Sequence, residues 1–254
     1  MTKIVLITGA TAGFGEACAE KFAKNGYDVI ITGRRGDKLN EVKQKTESSY
    51  SVRVLPLQFD VQQKTAVFDA INSLPAEWRG IDVLINNAGL ALGRDLFDQA
   101  NMDDWETMID TNVKGLLYVS KAVLPLMIEK GNGHIINLGS VAGKEIYERG
   151  NVYCATKAAV QALSKSMRID LLPHRIKVTA VHPGAAETEF GLVRFKGNAE
   201  AANKVYQGYQ PLSAKDVADI IFYCTTLPPH VCINDLDVTC LAQATVNNVY
   251  RSEP

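Results

Sequence analysis

The sequence lacks the marks of several specialised protein classes. It holds no apolar run near the roughly 18 residues that a membrane-spanning helix requires, so no membrane partner is expected. A first strand expected from Lys3 leaves no room for a secretory leader. No excess of either charge is present: 27 basic against 28 acidic residues give a net charge of −1. That balance argues against nucleic acid or an acidic bilayer as a bulk electrostatic partner. The five cysteines (Cys18, Cys154, Cys224, Cys232, Cys240) are odd in number, scattered, and form no C-x-x-C pair. They read as reduced, mostly buried small hydrophobes, and a cytoplasmic address follows. The four histidines (His134, His174, His182, His230) lack metal-ligand spacing, so no metal is expected, and His182 reads as structural. No G-x-S-x-G elbow supports a hydrolase.

What the chain has is alternation. Short β-branched runs at Ile4–Thr8, Val29–Gly33, Val52–Gln58, Val83–Asn86, His134–Leu138 and Lys177–Val181 are separated by helical patterns, with a late candidate at Leu236–Leu241. Several runs are apolar at successive positions, as strands covered by helices on both faces must be. A helix is expected between Asp103 and Glu129, where Trp105, Met108, Ile109, Val113, Leu116 and Val119 recur near a 3.6-residue period. A second is expected over Asn151–Leu172, with small residues (Ala155, Ala158, Ala159, Ala162) that permit close approach of a partner. No repeat or linker interrupts the pattern. The expectation is an α/β chain forming one doubly wound, Rossmann-like domain over residues 1–254: a parallel sheet with helices on both faces. The segment 187–211 is the least regular and is the expected substrate loop.

The first strand runs into Thr8-Gly9-Ala10-Thr11-Ala12-Gly13-Phe14-Gly15 and then a helical pattern. Glycines there allow a tight turn and close backbone approach to a pyrophosphate, while the helix that follows offers unpaired N–H groups and a positive dipole end. A nucleotide site is expected from Gly9, Thr11, Ala12, Gly13, Phe14 and Gly15. The second strand ends in Thr32-Gly33-Arg34-Arg35, where an acidic residue would select the ribose 2′-hydroxyl of NAD. None is present. Arg34 and Arg35 suit the 2′-phosphate of NADP instead; the other reading is a solvated surface pair. Past the third strand, Asp60-Val61 either contacts the adenine edge or, for Asp60, caps the next helix.

Thr8-Gly9-x-x-x-Gly13-x-Gly15, Asn86-Asn87-Ala88-Gly89, Asn112, Ser140, Tyr153-x-x-x-Lys157 and Pro183-Gly184-x-x-x-Thr188 occur in an order and spacing that resembles the short-chain dehydrogenase/reductase family, in its single-domain branch. A tyrosine has an ordinary pKa near 10, so a lysine one helical turn away would stabilise its phenolate. That would bring Tyr153 toward use as a base in alcohol oxidation or an acid in carbonyl reduction. Ser140 would hydrogen-bond the substrate oxygen. The resemblance implies that Lys157 also holds the nicotinamide ribose. It implies that Pro183, Gly184, the Ala186 backbone and Thr188 hold the nicotinamide, and that Asn87 lies at the cofactor. It further gives Asn112 a water-mediated relay to Lys157, the alternative being a buried amide bonded to nearby backbone.

Leu74-Pro75-Ala76-Glu77-Trp78, Asp104 to Asn112, Val193-Arg194-Phe195-Lys196-Gly197 and Thr226 to Val231 are similar to the branch of NADP-dependent 3-hydroxy acid dehydrogenases acting on serine, allo-threonine and related acids. An acid substrate needs its carboxylate recognised, and Arg149, Arg194 and Lys196 are the candidates; ordinary surface charge is the alternative for each. Lys144-Glu145-Ile146-Tyr147-Glu148-Arg149 departs from the branch's small, Pro- and Gly-rich pattern and would bring two acids and two bases to the pocket. The rival readings are a carbonyl reductase for a substrate without a carboxylate and a noncatalytic NADP-binding regulator. The family resemblance also implies a homo-oligomer, a tetramer more than a dimer.

Overall fold

The sheet forms because its strands are apolar on both sides. In β1 (Ile4–Thr8), Ile4 and Leu6 join one core cluster while Val5 and Ile7 join the other. That alternation sends side chains into two hydrophobic layers, so the strand needs helices above and below. The computed structural model describes residues 2–252; Met1, Glu253 and Pro254 of the expected 1–254 domain lie outside the described residues.

Seven parallel strands align in the order β3-β2-β1-β4-β5-β6-β7. They are β1, β2 (Asp28–Gly33), β3 (Val54–Gln58), β4 (Ile81–Asn86), β5 (Gly133–Leu138), β6 (Ile176–Pro183) and β7 (Asp235–Val238). Around them run α1 (Gly13–Lys24), α2 (Gly36–Ser49), α3 (Lys64–Asn72), α4 (Met102–Ile109), α5 (Leu116–Lys130), α6 (Asn151–Asp170), α7 (Phe190–Arg194), α8 (Ala199–Lys204) and α9 (Ala214–Thr226). One core sets Phe22 of α1 and Ile221 of α9 against Val5 and Ile7; the other sets Ile71 of α3 and Val123 of α5 against Leu6 and Leu84. The doubly wound, Rossmann-like sheet is therefore as expected, including the late seventh strand. Strand order reverses between β1 and β4, which opens a crevice beyond their carboxyl ends.

Two expectations change. The single helix expected from Asp103 to Glu129 is interrupted by a π-helical turn at Asp110–Gly115, between α4 and α5. The wide turn seats Gly115 against Val61, where a Cβ would come within 2.7 Å of the valine methyl. The irregular stretch 187–211 contains the two short helices α7 and α8.

Candidate active site

A cavity of about 560 Å³ occupies the crevice at the sheet's carboxyl edge, and its wall includes the glycine loop, Arg34, Arg35, Ser140, Tyr153, Lys157 and Arg194. At one end, Gly9 and Gly13 adopt left-handed backbone conformations (φ +66° and +55°) that favour glycine. Gly15 is not on the wall; it lets α1 close over the loop. A Cβ on Gly15 would lie 2.6 Å from Asn87 Nδ2 and 2.8 Å from the Gly9 carbonyl carbon. Ala12, at the start of α1, contributes no side-chain cap, so the first N–H groups of the helix are left for a ligand. Thr11, Ala12, Gly13 and Phe14 line the cavity beside them.

Asn87, expected at the cofactor, lies on the cavity wall. Its Nδ2 donates to the carbonyls of Thr8 (2.7 Å) and Gly9 (3.1 Å), and Thr8 Oγ1 accepts from the N–H groups of Asn87 and Ala88. The side chain on the wall thus also fixes the shape of the glycine loop.

Arg34 and Arg35 both reach the cavity. Arg35 Nη2 donates to Thr11 Oγ1 (2.9 Å) and stands 3.4 Å from Glu189 Oε2. Arg34 lies 3.8 Å from Asp60. Asp60 does not cap a helix: it accepts from the Gln62 N–H within a turn, and α3 begins only at Lys64. Val61 and Thr111 complete that part of the wall.

Ser140, Tyr153 and Lys157 converge at the other end. Ser140 follows β5 and starts the short helical turn Val141–Gly143; its Oγ accepts from Ala142 N–H (3.1 Å) and donates to the Pro183 carbonyl (3.4 Å). Gly143 lets that turn lie on α6, since a Cβ there would stand 2.6 Å from the Lys157 carbonyl oxygen. Lys157 Nζ donates to the Leu138 carbonyl (2.8 Å) and lies 6.0 Å from the Tyr153 ring centroid. Burial lowers the lysine pKa to about 8. The phenol of Tyr153 is pushed up from its ordinary value, chiefly by burial and then by Tyr147, against the opposing pull of the Ser140 hydroxyl and Arg194. The shift runs opposite to the stabilisation of the phenolate expected from Lys157, and burial is its main cause, so Tyr153 is the neutral acid.

Asn112 sits in the π-helical turn with both amide N–H groups and one oxygen lone pair in use. Its Oδ1 accepts from Leu90 N–H (2.8 Å), and its Nδ2 donates to Leu90 O (2.8 Å) and Thr156 Oγ1 (3.0 Å). These bonds fit the buried-amide alternative, and they leave one lone pair of Oδ1 for the relay water of the other reading. Lys157 is its neighbour only across Gly89, whose Cβ, if present, would be 3.2 Å from Asn112 Oδ1 and 3.5 Å from Lys157 Nζ.

The Pro183–Thr188 loop crosses the cavity wall. Gly184 N–H bonds Val238 O, Ala185 N–H bonds Gln243 Oε1 (2.7 Å), and the Ala186 carbonyl accepts from Tyr206 (2.8 Å). Thr188 rests against Gly13, which brings the loop to the glycine turn. His182 is fully buried and bonds Asp235 through Nε2 (3.1 Å), which agrees with a structural part. His182, Asp235 and Asp237 form a ligand-like group, but Lys144 already pairs with both carboxylates.

Of the three basic candidates, the structure brings one to the reacting end. The Arg194 guanidinium lies 5.6 Å from the Tyr153 ring centroid, with a buried Nε that has no hydrogen-bond partner among the described residues. Arg149 and Lys196 are absent from the cavity wall. Each has left-handed backbone (φ 64° and 51°) and pairs with an acid, Arg149 with Glu148 (3.8 Å) and Lys196 with Asp104 (2.8 Å). The expected charge cluster of 144–149 also dissolves. Lys144 turns to β7, Glu145 accepts from Val246 N–H, and the Tyr147 ring is what faces the cavity. Wall residues that carried no recognisable signal in sequence include Arg94, a loop charge without a period, and Tyr206 and Gln243 from late in the chain.

A match to the short chain dehydrogenase family spans residues 3–197. The chain is 47% identical over 250 residues to the NADP-dependent 3-hydroxy acid dehydrogenase of Escherichia coli K12, covering 98% of this chain and 99% of that protein. It is 49% identical over 245 residues to sulfoacetaldehyde reductase 2 of Chromohalobacter salexigens, covering 96% of each. Among solved structures, the closed form of serine dehydrogenase complexed with NADP+ superposes with a TM-score of 0.92 at 47% identity, covering 98% of this chain and all of that one.

Proposed function

The chain belongs to the short-chain dehydrogenase family, and from that premise we propose that it interconverts a short 3-hydroxy acid and its 3-oxo form with NADP. The carrying observation is Arg194: a guanidinium with an unpartnered buried Nε beside the Tyr153 ring, in the cavity that begins at the glycine loop. An arginine fork there suits a carboxylate held next to the reacting carbon. The residues fit NADP. The Gly9–Gly15 turn is one that a Cβ would fill, α1 leaves N–H groups free, and Arg34 and Arg35 on the cavity wall would suit a 2′-phosphate. Gly9, Thr11, Ala12, Gly13, Phe14, Asp60, Val61, Lys157, Pro183, Gly184, Ala186 and Thr188 would complete the cofactor's surroundings, with Gly15 and Asn87 shaping the loop. When bound, NADP supplies the hydride acceptor or donor.

The protein supplies the proton handling. Tyr153, resting neutral, donates its proton to the oxygen of a carbonyl being reduced and recovers it in the reverse direction. Ser140 positions that oxygen through its hydroxyl and shares developing charge. Lys157, with a pKa near 8, exchanges protons readily around neutral pH and steadies the phenolate when charged. Asn112 holds Leu90 and Thr156, and so fixes the π-helical turn beside the lysine. The 187–211 segment, which carries Arg194 and Tyr206, is the substrate loop.

Initial rates read at the reduced-nicotinamide absorbance band test the reading with serine, allo-threonine, 3-hydroxyisobutyrate and the sulfonate isethionate, each with NADP and NAD. Turnover of an acid with NADP preferred is the expected result. Turnover confined to uncharged alcohols or ketones would refute it. The carbonyl-reductase alternative has less support, because Lys144 and Arg149, the two bases of 144–149, pair with acids and neither lines the cavity. We propose further that the chain forms a homo-oligomer, a tetramer more than a dimer. Leu117 and Ile128 on α5 and Ile169 on α6 leave apolar surface exposed on the two long helices, and light scattering reads the mass directly. The five free thiols favour a reducing compartment, the cytoplasm.

A further inference from the structure

Two guanidinium groups, not one, surround Tyr147 at the substrate end of the cavity. Arg194 lies 5.4 Å from that ring centroid, and Arg94, in the loop after β4, lies 5.8 Å from it. The segments carrying them are tied by a backbone bond from Gly93 N–H to the Arg194 carbonyl (3.0 Å). Among the described residues neither guanidinium pairs with a carboxylate, whereas Arg34, Arg35, Arg149 and Lys196 each do. Of the acids nearby, Asp104 pairs with Lys196, Glu189 with Arg35 and Glu145 with the Val246 N–H, while Asp95, next to Arg94 in the chain, lays its carboxylate against Gly93 and forms no ion pair with Arg94. The Tyr147 hydroxyl is buried, which raises its pKa, and the two guanidinium groups pull that pKa back down, Arg194 more than Arg94.

Two like charges sharing one ring repel unless anions join them, although the ring face offsets part of that cost. A single carboxylate is satisfied by one guanidinium fork. Arg194, beside Tyr153, takes the acid group nearest the reacting carbon. Arg94, more exposed and farther toward the solvent, is then left with no charge to meet. We infer that Arg94 is a specificity-determining residue that binds a second anionic group, so that the pocket favours short hydroxy acids carrying two negative charges, such as a hydroxy dicarboxylate. This rests on the 3-hydroxy acid reading and narrows its substrate class.

The test compares 3-hydroxybutyrate with 3-hydroxyglutarate, which share the hydroxyl and one carboxylate and differ by the second carboxylate. Wild-type protein with NADP is expected to show the higher kcat/KM for the diacid, an advantage that shrinks as salt screens the charges. Arg94→Met keeps the side-chain bulk and is expected to lower kcat/KM for the diacid about tenfold or more, while the monoacid changes by less than about twofold. An equal loss for both acids, no loss for either, or no diacid preference in the wild type would overturn the inference. If the wild type turns over the monoacid without that preference, the 3-hydroxy acid reading stands and only the second anion site falls. Turnover of neither acid overturns the second anion site, and the 3-hydroxy acid reading falls with it only if serine, allo-threonine and 3-hydroxyisobutyrate are inert as well.

Discussion

Arg35→Ala separates recognition of the 2′-phosphate from support of the loop that carries it. In the structure Arg35 Nη2 is 2.9 Å from Thr11 Oγ1 and 3.4 Å from Glu189. Deleting the side chain therefore removes two different things. Loss of the neutral-acceptor bond to Thr11 is worth about 1 kcal/mol and should lower kcat/KM for NADP and NAD alike, roughly fivefold. A guanidinium–phosphate bond is worth about 1.5–3 kcal/mol, or roughly 10- to 150-fold, and acts on NADP alone. The side chain is 48% exposed, so screening holds the effect to the lower part of that range. The expectation is an NADP-to-NAD selectivity that falls about 10- to 30-fold, together with a modest shared loss. Initial rates at cofactor concentrations below KM, with one hydroxy acid saturating, give both ratios. Equal losses for NADP and NAD would refute the reasoning, since they would make Arg35 a loop brace only. A second arm, Arg34→Ala, should weaken selectivity less, because that side chain is 65% exposed.

Tyr153→Phe is expected to lower turnover by about a hundredfold or more while NADPH still binds by fluorescence titration; near-native rates would refute the proton-transfer role. Gly15→Ala should abolish nucleotide binding or destabilise the fold, because the new methyl meets Asn87 Nδ2 at 2.6 Å and fixed Gly9 backbone; calorimetry with and without NADP reads both outcomes. His134 is buried beside Thr179 with its pKa lowered by burial to about 3 from 6.5. The unfolded chain therefore takes the proton first, and stability should fall, by an amount on the order of 4 kcal/mol, as pH drops from 6.5 toward 3. Denaturant melts of His134→Gln should show a shallower fall over that window, and an unchanged slope would refute the assignment.

Much of the fold was legible because its signals are local. Strands buried on both faces must be apolar at successive positions, and Ile4–Thr8 and His134–Leu138 could be placed on that ground to within a residue. The glycine turn was readable because left-handed backbone at Gly9 and Gly13 demands that residue type. The π-helical turn at Asp110–Gly115 was not readable, since a single wide turn barely disturbs a 3.6-residue average over a long segment. Arg149 and Lys196 were misplaced for a different reason. A charge in a loop has no period, and local left-handed backbone turned each toward an acid close by.

The sequence by itself determined the type of sheet, the nucleotide turn, and the residues Ser140, Tyr153 and Lys157, because each depends on residue type at short spacing. Tertiary structure alone decided which arginines face the cavity. Arg94 and Arg194 are far apart in the chain, and they meet at Tyr147 only because the crevice between β1 and β4 brings the loop after β4 against α7. It also decided the direction in which the Tyr153 pKa moves. A phenol's pKa follows the solvent and dipoles left to it, and burial here raises it.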